Sequence, residues 1–366
     1  MSDFKALPDL VAPVSAKGAI GWFKQNLFST PLNSVVSIVA IYFLISFLTP
    51  VFDWAIFSAV WSGDGNASCV DASGACWIFI EDRLPIFAYG IYPPEEYWRL
   101  NICLALMALS FGPQFFEGFP YKKYLAIFSL TGFPLIAFFL ITGGSFGLVE
   151  VPTERWGGLA LTLVLAYVGI VAALPIGVVL ALGRRSEMPV IRTFCVIFIE
   201  LWRGVPLISV LFMASVMLPL FLPDGTNFDK LMRALIGITM FQSAYMAEVI
   251  RGGLQAIPRG QFEAAKALGL SYWKMMGLIV LPQAMKLVIP GIVNTFIALF
   301  KDTTLVLIIG PMDILALVQA AIEDPDWRAV ETEGYVFAAL CFWVFCFSMS
   351  RYSQKLERKL HTGHKR

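Results

Sequence analysis

The chain has 366 residues, of which 58% are hydrophobic and 14% are charged, and its formal net charge is +1. Its mean hydropathy is +0.73. A soluble domain of this length carries far more charged surface, so the composition favours a protein whose solvent is the lipid bilayer. The near-neutral charge gives no reason to expect nucleic acid as a partner.

The first segment, residues 1–33, precedes the first apolar run. That run begins late and exceeds a typical signal-peptide core, so we do not expect it to be cleaved. Between Lys17 and Phe28, large apolar side chains stand beside lysines, a pattern typical of a helix lying on the cytoplasmic membrane surface. A loosely ordered tail is the alternative.

Eight apolar runs follow, each long enough to cross a hydrocarbon core of about 30 Å, which takes about 20 residues of helix. In chain order they lie near 34–52, 98–115, 124–142, 158–182, 194–222, 231–250, 276–309 and 334–350. The sequence therefore predicts an all-α, polytopic membrane helical bundle with about eight transmembrane helices.

Positive charges in the loops set the orientation of such a bundle. With the N-terminus inside, most lysines and arginines fall in cytoplasmic segments, and the opposite loops keep mainly Arg83, Arg155, Lys230 and Arg328. Both termini are therefore expected in the cytoplasm. The predicted organisation is a cytoplasmic segment 1–33, three helices in 34–156 with an outer loop 53–97, a helical domain 157–350 and a cytoplasmic tail 351–366.

Two residue types limit the chemistry. The histidines, His361 and His364, both lie in the polar tail, which excludes haem-b proteins and histidine-based metal enzymes, so no metal site is expected. Cys69 and Cys76 bracket a polar stretch of the outer loop and would form a disulfide if their geometry suits an oxidising compartment. Their spacing alone leaves the bridged and the free forms equally open.

The predicted cytoplasmic loop between the sixth and seventh runs differs from the others. Pro258 suits the first turn of a helix, and Phe262, Ala265 and Leu268 share one face at helical spacing. Gly269 suits a left-handed residue that ends the helix. The loop is thus expected to contain a short helix with a defined end.

A second short helix should follow, with Ser271 as its N-cap and an interruption at Pro282. A short, rigid helix of this kind suits docking onto a cytoplasmic partner. The spacing equally fits an ordinary interfacial loop in which Glu263 and Lys266 form a weak surface pair.

The same segment resembles the EAA loop of the permease subunits of ATP-binding-cassette (ABC) importers. That pattern is E-A-A, three residues, G, nine residues and I-x-L-P, and it is matched at Glu263, Ala264, Ala265, Gly269, Ile279, Leu281 and Pro282. Residues 244–253, 301–305 and 200–206 resemble the polar amino-acid branch of this family, with Val205 where threonine is frequent. The resemblance covers about 157–350.

This resemblance implies that the last five helices form a type I importer core in a bacterial inner membrane, surrounded by lipid. It implies L-amino acids as substrates and a periplasmic amino-acid-binding protein as a partner. The three additional helices are similar to those of the M permease subunit of the general L-amino-acid transporter, which pairs with a second, homologous permease subunit. A heterodimer is therefore expected, with a homodimer as the alternative.

The resemblance also implies that the loop couples to a dimer of ABC ATPase subunits. The coupling residues it identifies are Arg259, Glu263, Ala264, Ala265, Lys266 and Gly269. The chain contains no Gly-Lys-Ser or Gly-Lys-Thr triplet typical of a phosphate-binding loop. We therefore expect a transporter subunit rather than an enzyme, with no cofactor of its own, and ATP and Mg²⁺ used by the partner ATPase.

Charged residues at membrane depth indicate where a substrate might pass. Lys301, Asp302 and Thr303 lie in the seventh run, which is longer than the bilayer requires, so a break at Pro290–Gly291 is expected. The hypothesis is that these three residues face or brace the translocation path. The alternative is a mutual ion pair between Lys301 and Asp302 that only stabilises the bundle.

Two further charge pairs have helical spacing near the ends of predicted helices. They are Glu200 with Arg203 and Glu248 with Arg251, and bracing is the expected role of both because helix ends tolerate charge. An ion-coupled secondary amino-acid transporter is the alternative function. It would require two repeated halves with interrupted helices, which the sequence does not display.

Overall fold

The computed structural model describes residues 18–70, 72–116, 118–221, 223 and 228–360. The first 17 residues of the predicted N-terminal segment and the tail histidines His361 and His364 lie outside them. Contacts divide the chain into two compact units, Met1–Ile78 and Phe79–Arg366, which are described separately.

The first unit contains helices α1 (Gly18–Asn26) and α2 (Pro31–Phe52). Thr30 caps α2, since its hydroxyl accepts the backbone N–H of Asn33 at 3.1 Å, and proline occupies the first helical turn. A π-helical turn at Asp53–Phe57 extends the helix. Within this unit α2 has no buried residue, as expected of an apolar helix whose neighbours are lipid or another chain.

Cys69 and Cys76 form a disulfide in the same unit. The segment they close is held by a bridge between Val60 and Cys76 and by the indole N–H of Trp77, which donates to the carbonyl of Ala55 at 2.8 Å. The segment 53–97, predicted as an outer loop, contains a helix, α3 (Trp77–Tyr89), in its second half.

The second unit continues with α4 (Tyr97–Phe111), α5 (Lys122–Leu130) and α6 (Gly132–Thr142). Helices α5 and α6 meet at an angle of 45°. Leu100 and Cys103 of α4 and Ile141 of α6 form one apolar cluster with Ala160 and Val164 of α7. The predicted domain boundary near residue 157 therefore does not separate compact units.

The remaining elements of the second unit are α7 (Gly158–Arg184), α8 (Pro189–Gly204), α9 (Leu207–Phe212), α10 (Lys230–Ala256), α11 (Arg259–Ala267), α12 (Tyr272–Met275), α13 (Leu281–Asp302), β1 (Met312–Asp313), α14 (Ile314–Ile322) and α15 (Glu331–Leu360). Helix α10 packs most extensively on α7 and also on α13. Gly177 allows this close approach, since a Cβ atom there would lie 2.7 Å from the Cβ of Met246. The centre of the unit is thus a tight α7–α10–α13 bundle.

The all-α membrane fold class is confirmed. Four continuous helical segments in the described part of the chain are long and apolar enough to span a membrane, and two bent pairs raise the number to six. The other two predicted spans correspond to α4, which has 15 residues, and α10, which carries four charged residues, so a count of eight stays a prediction. The run 194–222 is not one straight span, because α8 and the segment Leu207–Phe221 meet at 105°.

The predicted interruptions of the seventh run were wrong. Residues Tyr272–Ile309 form one continuous helical segment, in which Pro282 occupies the first turn of α13 and Pro290 lies inside it. A π-helical turn at Met276–Val280 precedes Pro282, and α13 passes into a 3₁₀ turn at Thr303–Ile309. The changes of helix type accommodate the first proline, and the packed neighbours α10 and α15 hold α13 intact at the second.

Candidate functional site

The short helix predicted in the loop after α10 is α11. Pro258 directly precedes it as the N-cap rather than lying in its first turn. Ala265 is 1% exposed and belongs to an apolar cluster that includes Ile250 and Leu254 of α10, and Phe262 packs partly against the same cluster. Ala265 and Phe262 therefore anchor α11 against the bundle, whereas the other residues of the helix are exposed.

Gly269 ends the helix as predicted, with φ of +70°. Its N–H donates to the carbonyl of Lys266 at 2.9 Å, and the N–H of Leu270 donates to the carbonyl of Ala265 at 3.2 Å. These two bonds define a Schellman motif, which satisfies carbonyls that would otherwise have no partner. The motif fixes where α11 stops and where the chain turns back toward α12.

The outward surface of α11 combines charge with small side chains. Arg259, Glu263, Ala264 and Lys266 are exposed. Leu268, predicted on the buried face, is 77% exposed because it forms the C-cap, where the chain leaves the helical path. The ion pairs of the described residues do not include Glu263 with Lys266. These side chains are thus available to a partner.

Five charged residues form an ion cluster at the ends of α7, α8 and α10: Arg184, Glu200, Arg203, Glu248 and Arg251. One predicted pair, Glu248 with Arg251, is present. Arg251 donates from Nε to Oε1 of Glu248 at 3.0 Å and from Nη2 to Oε2 at 2.8 Å. The predicted Glu200–Arg203 pair was wrong. Arg184 lies 2.8 Å from Glu200, and Arg203 instead approaches Glu248 at 3.5 Å.

Arg184 is the member of this ion cluster that the sequence did not identify. Its Nη1 lies 2.8 Å from Glu200 and 3.0 Å from Glu248, so it joins α7 to α8 and to α10. From sequence it is one of many positive charges on the cytoplasmic side. The available signal was its place at the end of an otherwise uncharged helix, where a single charge is free to pair with a neighbouring helix.

The residues predicted for the substrate path are placed together at the end of α13. Lys301 is exposed, Asp302 is half-buried, and Thr303 is fully buried with its hydroxyl donating to the carbonyl of Phe300 at 2.7 Å. Within the described residues, no ion pair of 4.0 Å or less joins Lys301 and Asp302. The alternative role, an ion pair between Lys301 and Asp302 that only stabilises the bundle, is therefore not supported by a direct contact.

A cavity of the second unit lies elsewhere. It has a volume of about 500 Å³ and lies between α4 and α6 on one side and α7 and α10 on the other. Its lining is almost entirely apolar, with Leu104, Phe138, Val164 and Leu235 among the residues, and it includes none of Lys301, Asp302 and Thr303. Such a surface suits hydrocarbon rather than a charged amino acid.

Residues 173–362 match a family described as the binding-protein-dependent transport system inner membrane component. The match begins in α7 and includes the ion cluster and α11. The chain belongs to this family. It is therefore an inner-membrane component of a transport system, and a transporter subunit rather than an enzyme.

Similarity to individual relatives extends over the whole chain. It is 54% identical over 357 residues to the inner membrane amino-acid ABC transporter permease protein YhdY of Escherichia coli (strain K12), covering 97% of both chains. It is 39% identical over 422 residues to the glutamate/glutamine/aspartate/asparagine transport system permease protein BztC of Rhodobacter capsulatus, covering 97% of this chain and 96% of BztC.

A shorter relative matches only part of the chain. The probable glutamine ABC transporter permease protein GlnP of Bacillus subtilis (strain 168) is 31% identical over 202 residues, which cover 55% of this chain and 91% of that protein. About half of this chain thus corresponds to nearly all of the shorter permease.

Proposed function

We propose that the chain is the permease subunit of a binding-protein-dependent ABC importer that carries L-amino acids into the cytoplasm. The observation that carries the proposal is the surface of α11. Arg259, Glu263 and Lys266 are exposed and form no ion pair with any described residue, Ala264 beside them is exposed, and Ala265 anchors the helix to the bundle. A rigid surface of this kind fits a groove of an ATPase subunit and transmits its movement to α10 and α7.

The substrate class rests on the relatives, whose names specify amino acids and, for BztC, glutamate, glutamine, aspartate and asparagine. The partners of the proposed importer are a dimer of ATPase subunits, which binds ATP and Mg²⁺, and a periplasmic amino-acid-binding protein. A second, homologous permease subunit completes the assembly as a heterodimer, with a homodimer as the alternative.

In the proposed mechanism, the binding protein delivers an amino acid to the outer face of the permease pair. ATP binding closes the ATPase dimer, which moves α11 and favours the outward-open state. Hydrolysis then returns the pair to the inward-open state. Coupling here means that the ATPase binds one permease state more tightly than the other, so each nucleotide state shifts the population.

The test measures uptake of radiolabelled amino acids in cells that lack this chain. Wild type should restore uptake, and the variant combining Glu263→Ala with Gly269→Pro should not, since it removes the exposed carboxylate and the left-handed helix end. The double variant should reach the membrane at the wild-type level but no longer retain the ATPase. Glu187→Ala, which removes an exposed carboxylate outside α11, is the matched control and should restore uptake fully.

Full rescue by the double variant would contradict the proposal. Uptake that then persists without the ATPase but collapses when the proton gradient is dissipated would favour an ion-coupled secondary transporter.

The same importer requires a polar path, and we assign Lys301, Asp302 and Thr303 to its lining or bracing. The support is that Lys301 and Asp302 form no pair with each other although both lie at the end of a long apolar helix. Asp302→Asn should lower the uptake rate at least ten-fold while leaving ATPase retention unchanged, because it removes charge without changing shape. Lys286→Gln, on the exposed side of α13, is the control. Wild-type uptake by Asp302→Asn would contradict the assignment.

A further inference from the structure

One arginine of α7 reaches the docking helix directly. Arg185, the C-cap of α7, places its guanidinium carbon 5.7 Å from the ring centroid of Phe262 on α11. A guanidinium within about 6 Å of an aromatic face is attracted by the ring. The contact gives α11 a specific attachment to the end of α7, beyond the shared apolar cluster.

The preceding residue faces the ion cluster. Arg184 lies within 3.0 Å of carboxylates on both α8 and α10. Among the described residues, it alone forms ion pairs with both Glu200 and Glu248, since the ion pairs of Arg203 and Arg251 are with Glu248. Two consecutive arginines therefore join α11 on one side to α8 and α10 on the other.

The packing around these residues makes the connection short and stiff. Leu180 and Ala181 of α7, Ile199 of α8 and Ile250 of α10 are buried in the cluster that also holds Ala265 of α11. Close-packed protein interiors have low compressibility and transmit strain. A displacement of α11 therefore reaches the end of α7 without being absorbed by a loop.

We propose that Arg184 and Arg185 are positioning residues that connect the movement of α11 to the ion cluster. Arg185 follows Phe262 when the ATPase moves α11, and Arg184 then changes its contacts with Glu200 and Glu248. The ion cluster holds the ends of α7, α8 and α10 together in one state and releases them in the other. The inference rests on the proposed docking of α11 but assigns a separate step, which follows docking.

The test uses the complete importer in proteoliposomes and measures ATP molecules hydrolysed per amino acid imported. Arg185→Gln removes the cation, and Phe262→Leu removes the ring while keeping an apolar side chain. Each is expected to raise the ratio about two- to five-fold, in line with the strength of an exposed contact of this kind. The variant combining both should be no worse than either alone, because both remove the same contact.

Arg184→Gln should raise the same ratio, and its effect should not add to that of Arg185→Gln. The conservative variants Arg184→Lys and Arg185→Lys should restore at least half of the coupling because they keep the charge. The matched control is Arg192→Gln, an exposed arginine of α8 that forms no ion pair within the described residues and should leave the ratio unchanged. If a glutamine variant merely unfolded the permease, the ATPase would no longer be retained. The corresponding arginine-to-lysine variant would then not restore coupling.

The proposal would be overturned by a wild-type ratio in Arg185→Gln, or by effects of Arg184→Gln and Arg185→Gln that add. Binding of the ATPase to the same particles distinguishes this failure from a failure of the proposed function. If the ATPase binds normally and the ratio stays at its wild-type value, only the connection through the two arginines is wrong. If the ATPase binds without needing α11, the docking assignment itself is wrong.

Discussion

Gly269 has a conformational requirement that no ordinary side chain meets easily. Its φ is +70°, and a Cβ atom built there would meet nothing within 4 Å, so the constraint comes from the backbone and not from space. A left-handed residue other than glycine costs about 1–2 kcal/mol, and asparagine tolerates that conformation better than alanine. The Schellman bonds at the end of α11 depend on it.

Gly269→Ala should therefore weaken ATPase binding to the permease in nanodiscs by about five- to thirty-fold, the factor that corresponds to 1–2 kcal/mol. Gly269→Asn is the matched variant and should retain most of the affinity. Equal affinities for the alanine and asparagine variants would show that the left-handed cap is not what fixes the docking surface.

At this scale the sequence predicted what is local. The role of Gly269 as the helix end was identifiable from its neighbours alone. It directly follows a short helical pattern, and no distant residue has to be known. The partner of Glu200 could not be identified from local sequence. The three-residue spacing indicated Arg203, whereas the residue that pairs with Glu200 is Arg184 of the neighbouring helix. Which cation a carboxylate meets is decided by helix packing, and one sequence does not specify that packing.

Among the elements, prolines were the least reliable signals. Pro206 follows Val205, whose extended backbone ends α8 and permits the 105° bend, so the boundary signal was present in an apolar run interpreted as one span. Pro290 carries the same signal but lies inside a continuous helix. The difference is tertiary, because α13 packs against both α10 and α15.

Helix α3 shows the opposite case. Its residues Trp77–Tyr89 fall between two predicted transmembrane runs, in the segment predicted as an outer loop. The structure pairs Arg83 of α3 with Asp324 at 2.7 Å and stacks Phe79 edge-on against Trp327. Contacts with a segment more than 240 residues later in the chain stabilise this helix, and its own periodicity does not reveal them.

For the whole molecule, the family match begins at residue 173, within α7, so it carries no information on the helices before α7. The structure places α4 and α6 against α7 in one apolar cluster, so these additional helices form part of the same compact unit as the permease core. Only the residues before Phe79 fall outside that unit.

The orientation of the molecule depends on how many times the chain crosses the membrane between Cys76 and α11. All the predicted runs in that interval together give five crossings. Without α4, which has 15 residues, and α10, which carries four charged residues, three crossings remain. For either odd number we expect the disulfide and α11 on opposite sides of the membrane. If the bent pair of α8 and Leu207–Phe221 did not cross, three crossings would become two and both sites would share one side.

Labelling of intact and permeabilised spheroplasts with a membrane-impermeant maleimide decides between these arrangements. Cys69 and Cys76 should react in intact spheroplasts only after reduction, because a disulfide on the outer side would persist in the oxidising compartment there. Ala267→Cys, at an exposed position of α11, should react only after permeabilisation. Both experiments use a background in which the four free cysteines, Cys103, Cys195, Cys341 and Cys346, are replaced.

Labelling of Ala267→Cys in intact spheroplasts would contradict both the odd number of crossings and the docking of a cytoplasmic ATPase. Labelling of Cys69 without reduction would contradict only the disulfide.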